Sequence, residues 1–158
     1  MSSGVAVSDE VKDLFNEMKV QKSGDDQRER LRIVTFVIDG DFVQAEEKYR
    51  QKDVEDKDDI YKFFLSVLKE KSCRYVLYDC HFETKESKKE ELVFGMWNPD
   101  HATVKDRLLY SSTKTAVGKA FSGVKHNIAI NGYAEIEDKD SFADKLGKNI
   151  VSLEGHSM

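Results

Sequence analysis

Four histidines, two cysteines and 30 acidic side chains are the groups in this chain with chemistry to offer, and their spacing gives them little to do. His81, His101, His126 and His156 lie too far apart for an HxxxH metal site, and Cys73 and Cys80 lack the CxxC spacing of a zinc or redox motif. There is no GxxxxGK(S/T) phosphate loop and no GxSxG nucleophile elbow. Carboxylates crowd together in Asp56-Lys57-Asp58-Asp59, but a run of that kind is a solvated face before it is a general acid–base pair. A Cys–His nucleophile stays open, since such partners meet in space rather than along the chain. Binding is therefore expected rather than catalysis, with no metal and no cofactor.

The cations of residues 103–126, TVKDRLLYSSTKTAVGKAFSGVKH, carry a stronger signal. Val104, Leu108, Tyr110, Ser111, Thr115, Val117, Ala120 and Phe121 recur every three to four residues without a proline, which predicts a long amphipathic helix. Thr103 and Asp106 make a capping box at its start, and Gly123 marks its end. Lys105 and Arg107 then fall where the helix dipole is positive and a cation loses about 0.3–1 kcal/mol. Lys114, Lys119 and Lys125 join them, with Asp106 the only acid of the stretch, in a protein of net charge -5. Either this is a solvated helix face, or an acidic partner offsets the conflict with the dipole.

Composition bounds the rest. With 158 residues, 39% of them hydrophobic and 35% charged, the chain has the material for one core and a wettable exterior, so one soluble globular domain is expected. No run reaches the roughly 18 apolar residues of a membrane span, and the opening MSSGVAVSDE has no secretion-signal character, which predicts a cytoplasmic protein. Cys73 and Cys80, an odd spacing within one strand-like run, should face opposite sides as buried thiols. An isoelectric point of 5.4 speaks against nucleic acid as a partner.

These residues must be positioned by the following elements. Residues 1–8 have no period and read as a flexible arm, with the domain over residues 9–155. Ser8 or Asp9 caps a helix to about Met18, with Val11, Leu14, Phe15 and Met18 on one face. Residues 21–32 are polar and read as a loop, and the β-branched run 33–38, the Asp39-Gly40 turn signal and residues 42–46 predict a hairpin. An acidic connector leads to a helix over 59–69. Residues 74–82 and 92–97 are apolar on both faces, as strands covered on both sides are, and the charged run over 83–91 between them reads as a hairpin tip. Trp97-Asn98-Pro99 breaks the second strand. Ile128, Ile130, Gly132, Ala134 and Ile136 alternate as another strand, Asp140 or Ser141 caps a short helix through Leu146, and residues 150–153 are a last strand. This interleaving predicts an α/β (α+β) domain with a mixed sheet flanked by helices on both faces.

Several segments together resemble the actin-depolymerising factor and cofilin family: MSSGVAVSDE, residues 73–79, the charged tip, Leu92-Val93-Phe94 with Trp97 and Pro99, Tyr110-Ser111-Ser112, Gly123-Val124-Lys125-His126, and Glu154-Gly155. They occur in that order over essentially the whole chain. The resemblance implies a single actin-depolymerising-factor homology domain, a central mixed sheet of five to six strands flanked by helices. It also implies a monomeric protein of the cytoplasm and actin cytoskeleton that binds actin monomers and filaments, prefers the ADP-bound state, severs filaments and promotes depolymerisation.

By the same resemblance, Ser3, Gly4, Lys105, Arg107, Leu108, Ser111, Ser112 and Lys114 meet monomeric and filamentous actin, while Lys88, Lys89, Glu91, Asp144, Lys145 and Lys148 form a filament-specific surface. Lys105, Arg107, Lys125 and His126 sense pH and phosphoinositide head groups at the membrane surface. Ser3 matches a regulatory serine served by a kinase and a phosphatase, and a phosphate there adds about -1.5 to -2 charges against an acidic actin surface. The chain departs from the family pattern in its shorter, more acidic residues 21–57, in Thr103 where many members have proline, and in Glu90-Glu91 at the tip. The alternative is a homology-domain relative that acts on the actin branch-nucleating complex, or a phosphoinositide-binding adaptor with weak filament binding. An enzyme using Cys73 or Cys80 comes third.

Overall fold

The computed structural model describes residues 4–20, 27–147 and 149–157. In chain order these form β1 (Ala6–Val7), α1 (Asp9–Val20), β2 (Leu31–Asp39), β3 (Phe42–Arg50), α2 (Gln51–Val54), α3 (Ile60–Val67), β4 (Arg74–Thr84), β5 (Lys88–Trp97), α4 (Val104–Ala120), β6 (His126–Ile130), α5 (Lys139–Leu146), β7 (Ile150–Leu153) and β8 (His156–Ser157). The strands pair in the order β1-β3-β2-β4-β5-β6, and β7, followed by β8, pairs with the end of β4 that β2 does not reach. The β1–β3 and β5–β6 pairs are parallel and the others antiparallel, giving the mixed sheet with flanking helices that the sequence predicts.

Alternation along β4 divides the core. Cys73, Tyr75 and Leu77 enter one layer with Val11, Phe15 and Met18 of α1 and Tyr110, Val117 and Phe121 of the α4 side. Val76, Tyr78, Cys80 and Phe82 enter the other, with Tyr61 and Phe64 of α3 and Phe142 and Leu146 of α5. Both faces are covered, which is why residues 74–82 read as apolar throughout. Each cysteine belongs to a different layer, as its spacing predicts. Parallel strands need a long crossover, and α4 supplies it between β5 and β6, lying across the α1 side of the sheet.

Several expectations need correction. The arm is docked in part: Ala6 and Val7 pair with Phe42 and Val43, and Ala6 N–H donates to the Asp41 carbonyl at 2.9 Å. The polar loop ends sooner, because Arg30 and Arg32 are buried by ion pairing and β2 starts at Leu31. The acidic connector contains the rest of β3 and the short α2, anchored by fully buried Val54. The hairpin tip is only residues 85–87. Thr84 Oγ1 accepts from Glu86 N–H (3.3 Å) and Ser87 N–H (3.2 Å), so Lys88, Lys89, Glu90 and Glu91 belong to β5, opposite Glu83, Phe82, His81 and Cys80. The long helix stops at Ala120. The strand after it starts at His126 and ends at Ile130, where Asn98 N–H (2.8 Å) takes the Ile130 carbonyl and Tyr133 turns in against Trp97, with ring centroids 4.9 Å apart. The last helix has its N-cap at Asp138, two to three residues before the expected Asp140 or Ser141.

Two turns close hairpins by left-handed backbone. Gly40 (φ 63°) follows Asp39 in the β2–β3 turn, and Glu154 (φ 51°) with Gly155 (φ 83°) joins β7 to β8. The second turn carries the Glu154 carboxylate inward to Arg32 at 2.5 and 2.6 Å.

Candidate functional site

Two tyrosines set the rotation of α4. Tyr110 Oη accepts Ile38 N–H at 2.9 Å from the end of β2, and Tyr75 Oη donates to the Tyr110 carbonyl from β4. With Tyr110, Thr113 and Val117 turned to the sheet, Val104, Leu108, Ser111, Ser112 and Thr115 must face water. The apolar periodicity over residues 103–126 therefore belongs to two stripes rather than one: Val104 is 73% exposed and Leu108 67%. Thr103 Oγ1 accepts Asp106 N–H at 3.2 Å, the first half of the expected capping box.

The two cations at this end differ. Lys105 is exposed. Arg107 is drawn back to the strand–helix connection, with Nε at 3.1 Å from Asn98 Oδ1 and Nη2 at 3.2 Å from Asp100 Oδ1. These acceptors offset the helix dipole at Arg107, so the dipole conflict is resolved inside the protein for one of the two. Lys114 lies half-buried two turns on. Gly4 is exposed, while Val5 and Val7 pack on the core layer of Tyr110 and Val117, so the N-terminal segment runs beside α4. Ser3 and Lys148 lie outside the described residues.

The residues assigned to the filament surface do not stay together. Lys88 and Lys89 are on β5 beside a cleft of about 320 Å³ that reaches Gly155. Asp144 and Lys145 are exposed on α5, which leads through β7 back to β4 at this end of the sheet. Glu91 is turned elsewhere: its carboxylate meets Lys125 Nζ at 2.5 Å and His126 Nε2 at 2.8 Å. Burial pushes the Glu91 carboxyl up, but the hydrogen bonds from Lys125 and His126 outweigh it and hold it below the usual carboxylate range. Glu91 and Lys125 edge a cleft of about 290 Å³ between α1 and the turn after α4, with Phe15, Met18 and Lys19 on its other wall.

Sequence reasoning missed the floor of this cleft. Arg30 reaches Asp79 at 2.6 Å and Glu90 at 3.1 Å, and His81 Nε2 lies 3.3 Å from Asp79. The available signal was the pair Arg30 and Arg32 leading straight into a β-branched run. As for a cysteine nucleophile, burial pushes the Cys73 thiol up to about 11 and Cys80 well above its ordinary value, so neither is a thiolate at neutral pH. Among the described residues no group of three His, Cys, Asp or Glu side chains is arranged for a metal, and no helix is long and apolar enough to cross a membrane.

A family model described as cofilin/tropomyosin-type actin-binding protein matches residues 4–147. This chain belongs to that family. Among solved structures, it is similar to Streptomyces griseoflavus cofilin at 26% identity and a TM-score of 0.72, covering 90% of this chain and 98% of that one. Actin depolymerization factor 2 of Plasmodium berghei shares the fold at 24% identity and a TM-score of 0.76, covering 92% and 99% of the two chains. The ADF-like UNC-60A protein of Caenorhabditis elegans does so at 23% and 0.71, covering 94% and 97%. In this domain the outward stripe of α4 is one surface, and the β4–β5 hairpin end and the Glu91–Lys125–His126 cluster are neighbouring ones, since Glu90 lines the clefts beside both.

Proposed function

We propose that this cofilin-family protein binds actin monomers and filaments, with preference for the ADP-bound state, severs filaments and promotes their depolymerisation. The observation that carries the reading is the outward stripe of α4. Val104 and Leu108 stand in water beside Lys105 and Arg107 on a helix whose opposite face is locked to the sheet. Rigid exposed apolar side chains flanked by cations suit a partner with an apolar cleft and an acidic rim. Ser111, Ser112 and Lys114 extend that contact along the helix and Gly4 borders it, while Ser3 is assigned to the same contact by the family resemblance alone. Lys88, Lys89, Asp144, Lys145 and Lys148 supply a second, filament-only contact, while Glu91 serves Lys125 and His126.

Regulation follows from charge. A phosphate on Ser3 repels an acidic actin surface. Phosphoinositide head groups compete with actin for Lys105 and Arg107 and also engage Lys125 and His126, the residues that the family resemblance assigns to phosphoinositide and pH sensing.

Co-sedimentation with filaments and fluorescence titration of labelled monomers test the reading. Changing Lys105 and Arg107 together to Ala is expected to weaken monomer binding at least about tenfold, with a modest fall in the thermal midpoint from the lost Arg107 bonds to Asn98 and Asp100. Unaltered affinity in that variant removes α4 from the interface. Imaging single filaments at rising protein concentration separates severing, which raises the number of ends, from side binding and from sequestration, which do not.

A further inference from the structure

We infer that Asn98 is a positioning residue for the actin-facing stripe: it fixes Arg107 and Ser111 of α4 against the end of β5, so that Arg107 meets its partner already oriented. This rests on the actin-binding reading of α4 and deepens it.

Asn98 is the first residue after β5. Its N–H donates to the Ile130 carbonyl at the end of β6 (2.8 Å), and it is only 5% exposed. A carboxamide offers two donor and two acceptor positions, and here all four are engaged. Nδ2 donates to the Arg107 carbonyl (3.3 Å) and to Ser111 Oγ (2.9 Å), while Oδ1 accepts from Arg107 Nε (3.1 Å) and from the Cys73 thiol (3.5 Å). The amide has one orientation, because Nε–H can only donate and a peptide carbonyl can only accept; a flip would set donor against donor and acceptor against acceptor. Arg107 and Ser111 are four residues apart, so a single side chain clasps one full turn of α4. Asp100 holds the far side of the guanidinium at 3.2 Å. A long cationic side chain tethered at two points has surrendered much of its rotamer freedom before binding, which lowers the ordering cost of the complex. Alanine offers none of these groups, and aspartate keeps the acceptor for Nε but turns an oxygen to the Arg107 carbonyl.

The test is a double-mutant cycle of Asn98→Ala with Arg107→Ala, read by actin-monomer affinity and accompanied by thermal melts and by NMR of the Arg107 Nε–H in 15N-labelled protein. Asn98→Ala is expected to weaken binding about five- to tenfold in the wild-type background and less than about twofold in Arg107→Ala, and to turn Arg107 Nε–H from slow to fast solvent exchange. Equal fold losses in the two backgrounds overturn the positioning role alone, as does an Arg107 Nε–H that exchanges as fast in the wild type as in Asn98→Ala. Should Asn98→Ala not fold, Asn98→Asp carries the exchange measurement: retained protection supports the role and lost protection overturns it. An Arg107→Ala protein with unaltered actin affinity overturns the actin reading of Arg107 and, with it, the binding role given to Asn98.

Discussion

At the scale of single residues, the Arg32–Glu154 pair is among the most consequential contacts in the described chain. Both side chains are almost wholly out of water, Tyr78 Oη donates to the same carboxylate, and Arg32 Nε and Nη1 reach the Asp79 carbonyl (3.0 Å) and Gln51 Oε1 (2.7 Å). Removing one charge strands the other in a low-dielectric site. Glu154→Gln is thus expected to lower stability by about 3–5 kcal/mol in urea melts, while replacing Arg32 and Glu154 together by Met and Leu recovers much of the loss. A fully additive double variant would show that desolvation of the lone charge is not the cause. None of this was visible in the sequence. Glu154 lies 122 positions from Arg32, and along the chain the closing Glu154-Gly155 carries no more than a family resemblance.

At the scale of the element, α4 is a helix whose two apolar stripes have different work. Leu108→Ser on the outer stripe is expected to change stability by no more than about 0.5 kcal/mol while weakening actin binding, because it removes no buried contact. Phe121, just past the helix end and packed on Phe15, Phe36 and Phe94, is the opposite case: Phe121→Ala is expected to cost about 3–5 kcal/mol. Paired denaturation and actin-affinity measurements on the two variants separate the stripes. The helix itself, its Thr103 cap and its cationic start were legible from spacing alone. Which apolar residues face the core was not, since Val104, Leu108, Tyr110 and Val117 satisfy a loose 3–4 period together, and only the hydrogen bonds of Tyr110 to β2 and β4 choose between them.

At the scale of the whole molecule, three carboxylates tie distant elements together and set the response to acid. Burial pushes Asp79, Glu91 and Asp59 up, but bonds from His81 and Arg30, from Lys125 and His126, and from Lys139 respectively outweigh it, so each sits below its ordinary range in the folded state. A carboxyl depressed by folding contributes stability above its unfolded value and loses it as pH falls through the lower folded one. The urea midpoint is therefore expected to fall steeply below about pH 4, and less steeply in Asp79→Asn. By itself the sequence determined the class of fold, the double-sided strands, the α1 face and the family, because local periodicity, turn residues and ordered motifs are properties of neighbours along the chain. It did not reveal that Glu91 leaves the hairpin tip to join Lys125 and His126, that Asn98 clasps Arg107, or that Arg30 and Arg32 are interior. Those depend on strand register and on the rotation of α4 about its axis, and side chains far apart in sequence meet only once the sheet has been assembled.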